Sequence, residues 1–268
     1  MPLTIVVTAK QVLDPETPPS ALQIDPSRKR MVGPANVPPV VNGFDENAVE
    51  AALRIKDALG ASNVKITVLS AGKSFVLDVI KKPLAMGADE LVLVQDDACE
   101  NLDAFQTARV LAAAIKSMGT VDLVLCGRQA SDWDQAQVPL AIAEFLGLPC
   151  VHITRKVEVK DGTVVVERVV PDGAEVIQVP LPAVITVSNE LGQPRYPTLR
   201  GIMASTRKQP IIRKLADLGL NPADLKPKVE LLDLYIPVRQ KKCEFISGDN
   251  DEEKGRNLAR RLREAKLI

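Results

Sequence analysis

The sequence predicts an α/β fold: an open, mostly parallel, doubly wound sheet with an added β-hairpin and an extended C-terminal arm ending in a helix. Three observations carry this. Short β-branched runs alternate with stretches of helical periodicity through the first half of the chain, the pattern of a parallel sheet covered on both faces. Asp161-Gly162 separates two strand-like runs, and a type I′ hairpin turn needs the positive φ that this pair tolerates. After residue 216 the chain mixes Pro with isolated apolar residues, then closes on an amphipathic stretch. The expected division is therefore 1–216 for the α/β domain and 217–268 for the arm.

Residues 3–8 (LTIVVT) are a short apolar run suited to a strand buried on both faces. Residues 10–41 are rich in Pro and polar side chains and predict a loop or an edge hairpin. Asn42-Gly43-Phe44-Asp45 leads into a helix, with Asp45 as N-cap, Glu46 at the positive end, and Val49, Ala52, Leu53 and Lys56 at helical spacing. Gly60 stops it. Residues 64–70 form the second strand. Ala71-Gly72-Lys73-Ser74 opens the next helix, which Pro83 ends or kinks before Gly87. Residues 91–95 are the third strand and 101–118 a helix closed by Gly119. Residues 122–126 are the fourth strand and 135–146 the following helix, where Pro139 suits the first turn. Runs 153–160 and 163–170 make the hairpin, and 183–188 returns to the main sheet. Asp249 and Glu252 have capping-box spacing; Leu258, Leu262 and Ala265 then form an apolar stripe on a final helix.

A chain of 268 residues with 46% hydrophobic content supports one sizeable core. Lys+Arg and Asp+Glu are both 34, so no net charge attracts nucleic acid or an anionic membrane. Aromatic residues are 3% of the chain, which leaves few rings for stacking bases. No apolar run reaches the roughly 18 residues that span a bilayer. The opening MPLTIVVTAK has neither the charged and apolar regions of a signal peptide nor an Arg/Ser-rich leader, and a cytoplasmic location is expected. Cys99, Cys126, Cys150 and Cys243 form no CxxC pair, which argues against a disulfide framework or a thiolate zinc site. His152 is the single histidine and sits in a strand-like run, so a structural role is expected.

Gly72-Lys73-Ser74 resembles the end of a P-loop, but Thr67 stands where the leading glycine belongs. No GxGxxG follows any strand. The turn after the fourth strand is the better candidate. Gly127 lets the backbone approach a ligand closely. Asp132 and Asp134 can accept from ribose or adenine donors, or cap the helix. Free amides around 134–137 suit a phosphate. Thr8, Ser70 and Gly127 converge at the carboxyl ends of the strands, where open α/β sheets bind ligands. The competing reading is an ordinary capped βα turn. No histidine, metal cluster or nucleophile accompanies the two carboxylates, and no catalytic residue and no metal ligand is assigned. Trp133, between them, lines the pocket or packs over the helix start. Residues 191–216 hold no acid but contain Arg195, Arg200, Arg207, Lys208, Arg213 and Lys214. This segment reads as a solvated loop or a docking region for a partner, and only Tyr196 interleaves it for RNA.

The chain resembles the β subunit of the electron transfer flavoproteins over nearly its whole length. Lys10-Gln11-Val12 with Asp14 is similar to the family's first-strand signature. Asn42-Gly43-Phe44-Asp45 with Ala48-Val49-Glu50 resembles its NPF/NPY segment. Leu84-Ala85-Met86-Gly87-Ala88-Asp89 matches its LAMGAD run. LCGRQASDWDQAQ from Leu125 to Gln137 resembles its adenine-nucleotide loop. Gln193-Pro194-Arg195-Tyr196-Pro197-Thr198-Leu199, with Gly201-Ile202-Met203, is similar to its PRY segment.

The resemblance implies a heterodimer with an α subunit that holds most of the shared FAD. It implies electron transfer from acyl-CoA or related dehydrogenases to a quinone oxidoreductase, as in fatty acid oxidation, with β an electron-carrier subunit rather than an enzyme. It places an adenine nucleotide against Thr8, the segment Asn42, Gly43, Phe44 and Asp45, and Ala71. The site continues through the loop Gly127, Arg128, Gln129, Ala130, Ser131, Asp132, Trp133, Asp134, Gln135, Ala136, Gln137 and Val138. Residues 190–199 become a recognition loop in which Leu191, Arg195 and Tyr196 meet partner proteins, and the terminal arm packs on α. Family members with a DDDxNQTG-like loop bind AMP; electron-bifurcating members, with a DGDTAQVG-like loop, bind a second FAD there and oxidise NADH. Here Gln137-Val138 follows the second pattern, while Trp133 and Pro139 replace its glycines. AMP is the expected occupant, a second FAD the alternative. A stand-alone nucleotide-binding α/β protein is the reading outside this family.

Overall fold

The computed structural model describes residues 2–27, 29–237 and 243–268. Residues 238–242 of the expected arm lie outside the described residues. β1 (Leu3–Thr8) is followed by two small antiparallel pairs: β2 (Gln11–Val12) with β5 (Val40–Val41), enclosing β3 (Gln23–Asp25) with β4 (Arg30–Val32). α1 (Gly43–Leu59) leads to β6 (Val64–Gly72). Two short helices, α2 (Leu77–Ile80) and α3 (Lys82–Met86), precede β7 (Glu90–Gln95). α4 (Ala104–Ser117), β8 (Leu123–Gly127) and α5 (Val138–Leu146) follow. The strands β9 (Cys150–Lys160), β10 (Thr163–Val170), β11 (Gly173–Pro180) and β12 (Ala183–Val187) come next. α6 (Leu199–Arg207) and β13 (Ile211–Arg213) complete the first unit, and α7 (Asp251–Glu264) lies in the second.

Nine strands form one sheet in the order β11-β10-β9-β12-β8-β1-β6-β7-β13. Pairing is parallel from β9 to β13, while β9, β10 and β11 form an antiparallel meander. Strand alternation sorts the core into two layers. Ile5 and Val7 join Ile66, Val68, Leu93 and Leu125 under α1 and α3. Val6 joins Leu69, Val94 and Val124 under α4 and α5. The sheet is thus doubly wound. From β1 the chain steps outward through β6 to β7, then returns to place β8 on the other side of β1. That reversal puts a topological switch point beyond the carboxyl ends of β1 and β8, at Thr8 and Gly127, where open α/β sheets have their ligand crevice.

Several elements differ from expectation. The β-hairpin is a three-stranded meander. Its Asp161-Gly162 turn has φ of 49° and 74°, as the hairpin reading requires. β11 went unpredicted because most of its side chains face solvent, so no apolar alternation marks it. β6 runs on through Ala71 and Gly72, and helix begins at Leu77. Pro83 sits in the first turn of α3, starting a second helix rather than ending the first. α5 begins at Val138, with Pro139 in its first turn as expected. The basic segment carries α6 and the edge strand β13.

The compact division falls after Leu232, with units 2–232 and 233–268, not at 216. The reason is that Leu225 is buried in the second core layer and Leu218 and Leu220 pack against it. In the second unit, Asn250, one residue beyond the expected Asp249, caps α7 by accepting the Glu253 amide at 2.9 Å. The Glu253 carboxylate accepts the amide of Asp249, the residue before the cap, at 3.0 Å, a variant of the capping box set one position later than expected. No helix among the described residues is long and apolar enough to cross a membrane.

Candidate functional site at the sheet crossover

The first turn of α1 stands at the mouth of the crevice. Its side chains leave their own helix end and reach across. Asn42 is the N-cap residue, yet it makes no side-chain cap bond. Its Nδ2 donates to the Gln129 carbonyl at 2.8 Å, its Oδ1 accepts the Ser131 amide at 3.2 Å, and its own amide donates to the Lys10 carbonyl at 2.8 Å. Asp45 is inside the helix, so the expected N-cap role is overturned. Its Oδ2 accepts the Lys10 amide at 2.7 Å and its Oδ1 the Gly127 amide at 3.2 Å. Burial pushes the Asp45 carboxyl up to about 7, against the backbone amides of Lys10 and Gly127 and the Asn42 side chain, which favour the ionised form.

Gly127 is a close-approach residue, but protein fills the space its missing side chain leaves. A Cβ there would lie 2.4 Å from Asp45 Oδ1 and 2.7 Å from the Phe44 carbonyl carbon. Phe44 also faces Arg128, whose guanidinium stands 5.3 Å from the ring centroid. Gly43, exposed, begins the helix. Thr8 ends β1, and its hydroxyl hydrogen-bonds the buried Cys126 thiol, which burial pushes up to about 12. Ala71 is the penultimate residue of the adjacent strand β6 and packs on the second core layer. Thr8 and Gly127 end their strands, while Ser70, the third residue that the sequence reading put at the strand ends, lies with Ala71 inside the last residues of β6.

The loop after Gly127 is irregular. Ala130 accepts the amides of Trp133 and Asp134 at 3.4 and 2.9 Å. Asp134 and Ala136 adopt left-handed φ of 50° and 53°, followed by right-handed Gln137 (φ −93°, ψ −35°). Alternating hands turn successive amides toward one side, the geometry of an anion-binding nest. Among the described residues, the amides of Gln135, Ala136, Gln137 and Val138 meet no protein acceptor. Ser131 Oγ is buried and also lacks a partner. A buried hydroxyl without a bond is costly, so it marks a place for a polar ligand atom. These features fit a phosphate-bearing nucleotide.

Of the two roles open to Asp132 and Asp134, helix capping does not hold. Neither caps α5, whose N-cap is Gln137 without a side-chain bond. Asp132 pairs with Lys10 at 2.7 Å, tying the loop to the end of β1. Asp134 accepts Gln129 Nε2 at 2.7 Å. Trp133 is 49% exposed on the rim. Among the described residues no group of three or more His, Cys, Asp or Glu is arranged to hold a metal.

The segment expected to dock partners is largely tied down. Leu191 is buried in the first core layer. Arg195 donates to the buried Glu50 carboxylate (Nε–Oε2 2.8 Å) and to Asp57 at 2.8 Å. Burial raises Glu50, but hydrogen bonds from Arg195 and Arg54 outweigh it and hold the carboxyl below its ordinary range. Asn47 donates to the Gly192 carbonyl at 2.8 Å and Arg54 to the Leu191 carbonyl at 3.1 Å. One face of α1 thus stitches residues 191–195 in place. Tyr196, by contrast, is 91% exposed, and Leu199, Ile202 and Met203 of α6 are exposed beside it in sequence. α6 rests on α3: a Cβ on Gly201 would lie 2.2 Å from the Ala85 carbonyl oxygen. Lys208 Nζ donates to the carbonyls of Ala88 and Asp89 at 3.0 and 2.8 Å. Sequence reasoning missed Glu50 and Lys10 as organising groups. Glu50 had a signal, since a carboxylate inside the apolar stripe of α1 needs a cationic partner.

The family model described as "Electron transfer flavoprotein domain" matches residues 33–218. The chain is 37% identical over 270 residues to an electron transfer flavoprotein subunit beta of Thermoanaerobacterium thermosaccharolyticum, covering 99% of this chain and 100% of that protein. It is 36% identical over 270 residues to the caffeyl-CoA reductase-Etf complex subunit CarD of Acetobacterium woodii, covering 99% and 100%. It is 39% identical over 213 residues to an electron transfer flavoprotein subunit beta of Megasphaera elsdenii, covering 77% and 76%.

Proposed function

The chain belongs to the electron transfer flavoprotein family, and on that premise we propose that it is the β subunit of a heterodimeric electron carrier whose crossover crevice holds AMP. The observation that carries the AMP reading is the loop 127–138. It combines unmet amides at 135–138, the nest at Ala136-Gln137 and the unpartnered Ser131 hydroxyl, all beyond the end of β8. The flavin, FAD shared with an α subunit, supplies the redox chemistry when bound. This chain's residues bind and orient. Thr8 and Ala71 floor the nucleotide crevice, Ser131 and the following amides receive polar atoms, and the Lys10–Asp132 pair ties the loop to β1. The proposed electron donors are acyl-CoA or related dehydrogenases, docking near Tyr196 and the exposed side of α6, and the proposed acceptor is a quinone oxidoreductase. Co-expression with its genomic neighbours tests this: a yellow complex with a second chain is the expected product. A colourless, monomeric chain contradicts it.

A second reading has its own support. Gln137-Val138 follows the bifurcating loop pattern, and a relative of comparable identity is named as part of a caffeyl-CoA reductase complex. In that reading a second FAD replaces AMP and the complex oxidises NADH. Two FAD per heterodimer would select it.

A further inference from the structure

Asp45 and Asn42 lie at the nucleotide crevice, yet their polar atoms are already committed to protein. Asp45 is 6% exposed and Asn42 1%. Both Asp45 oxygens accept backbone amides, one from each side of the crevice: Lys10 after β1 and Gly127 at the end of β8. Asn42 holds the next stretch, taking the Gln129 carbonyl and the Ser131 amide. Three backbone points of residues 127–131 are thereby pinned to one helical turn. Ser131, whose hydroxyl is buried and unpartnered, hangs from the last of these points.

We propose that Asp45, with Asn42, is a positioning residue: neither meets the nucleotide through its side chain, and together they template the 127–131 backbone on which it is held. The proposal rests on the reading of the crevice as an AMP site, and it gives Asn42 and Asp45, which the family resemblance put in that site, a supporting role rather than a contact through the side chain. An ionised Asp45 can hold both amides at once. A protonated one turns a hydroxyl against an N–H donor, and the longer bond, to Gly127, is the one released. Nucleotide retention is therefore tied to Asp45 ionisation. The charged and titratable groups around it leave this intact. Lys10 lends its amide to Asp45 while its ammonium is engaged by Asp132. Arg128 lies over Phe44, Glu46 pairs with Lys82, and the Cys126 thiol, pushed up to about 12, stays neutral.

The test uses the full chain co-expressed with its partner subunit. The complex is dialysed against nucleotide-free buffer at pH 6, 7 and 8, and AMP remaining per FAD is followed with time. Asp45→Asn preserves shape but sets an NH₂ group against one of the two amides. It is expected to release AMP at least tenfold faster than wild type at pH 8, the cost of about one hydrogen bond to a charged group. Wild-type release is expected to quicken below pH 7. The AMP phosphate itself titrates near 6 and affects both proteins alike, so the part of the pH dependence missing from Asp45→Asn belongs to Asp45. Asn42→Ala, the second variant, should also release AMP faster with FAD retained, and it carries the test alone if Asp45→Asn does not fold. Wild-type release rates in these variants, or an unchanged pH profile in Asp45→Asn, would overturn the positioning role. A wild-type complex containing no AMP would overturn the AMP reading and this inference with it.

Discussion

Asp45 Oδ1 accepts the Gly127 amide at 3.2 Å across 82 residues of sequence. This bond joins the first turn of α1 to the end of β8 at the point where the strand order reverses. It is possible only because residue 127 has no side chain, since a Cβ would lie 2.4 Å from the same oxygen.

Gly127→Ala is therefore expected to force α1 and β8 apart. The atoms it meets include backbone of Phe44 and Asp45, which cannot swing aside. Overpacking of this kind costs about 1–3 kcal/mol. Urea unfolding of the complex should show a lowered midpoint, and nucleotide loss should accompany it.

Stability should also carry the signature of Asp45. Its carboxyl is raised from 3.8 to about 7 by burial. The folded chain then retains a proton that the unfolded chain has released, so this group's contribution falls as pH rises from about 4 to 7 and is flat above. The slope is at most about 1.4 kcal/mol per pH unit. Glu50, held low, acts with the opposite sign, its stabilisation lost as pH falls below the ordinary carboxylate range. Denaturation at pH 5, 6 and 7 isolates Asp45, and Asp45→Asn should flatten the curve there.

Arg195 and Glu50 make a second long-range tie. Arg195→Ala leaves a carboxylate of 5% exposure with Arg54 as its remaining cationic partner. A loss of about 1–3 kcal/mol is expected. Arg195→Lys should restore little, because an ammonium cannot bridge Glu50 and Asp57 with the geometry of a guanidinium fork. Hydrogen exchange should rise at 191–195 in both variants.

Trp133 is the single tryptophan and lies on the loop that frames the crevice. Its emission should change when AMP is removed and recover when AMP is added back. Asp132→Ala, which frees the loop from Lys10, should reduce the amplitude of that change.

The parallel strands were legible because each is a short apolar run bounded by polar residues, as in 3–8 and 91–95. β13 was not, since three residues among cations carry no period; its place comes from pairing with β7. Gly127 was recognised as a position of close approach, but local sequence could not say that Phe44 and Asp45, not a ligand, are what approaches. Asp45 failed for a related reason. An aspartate at a helix start looks the same whether it caps its own helix or accepts an amide 82 residues away. Leu191 and Arg195 carried a docking role by resemblance, while their burial and ion pairing depend on Glu50, Asp57 and the core around α1.

The most direct test of the account is the identity and number of nucleotides released on denaturing the purified heterodimer. One FAD and one AMP per pair of chains is the predicted result. Two FAD without AMP, or FAD with no other adenine nucleotide, would contradict it.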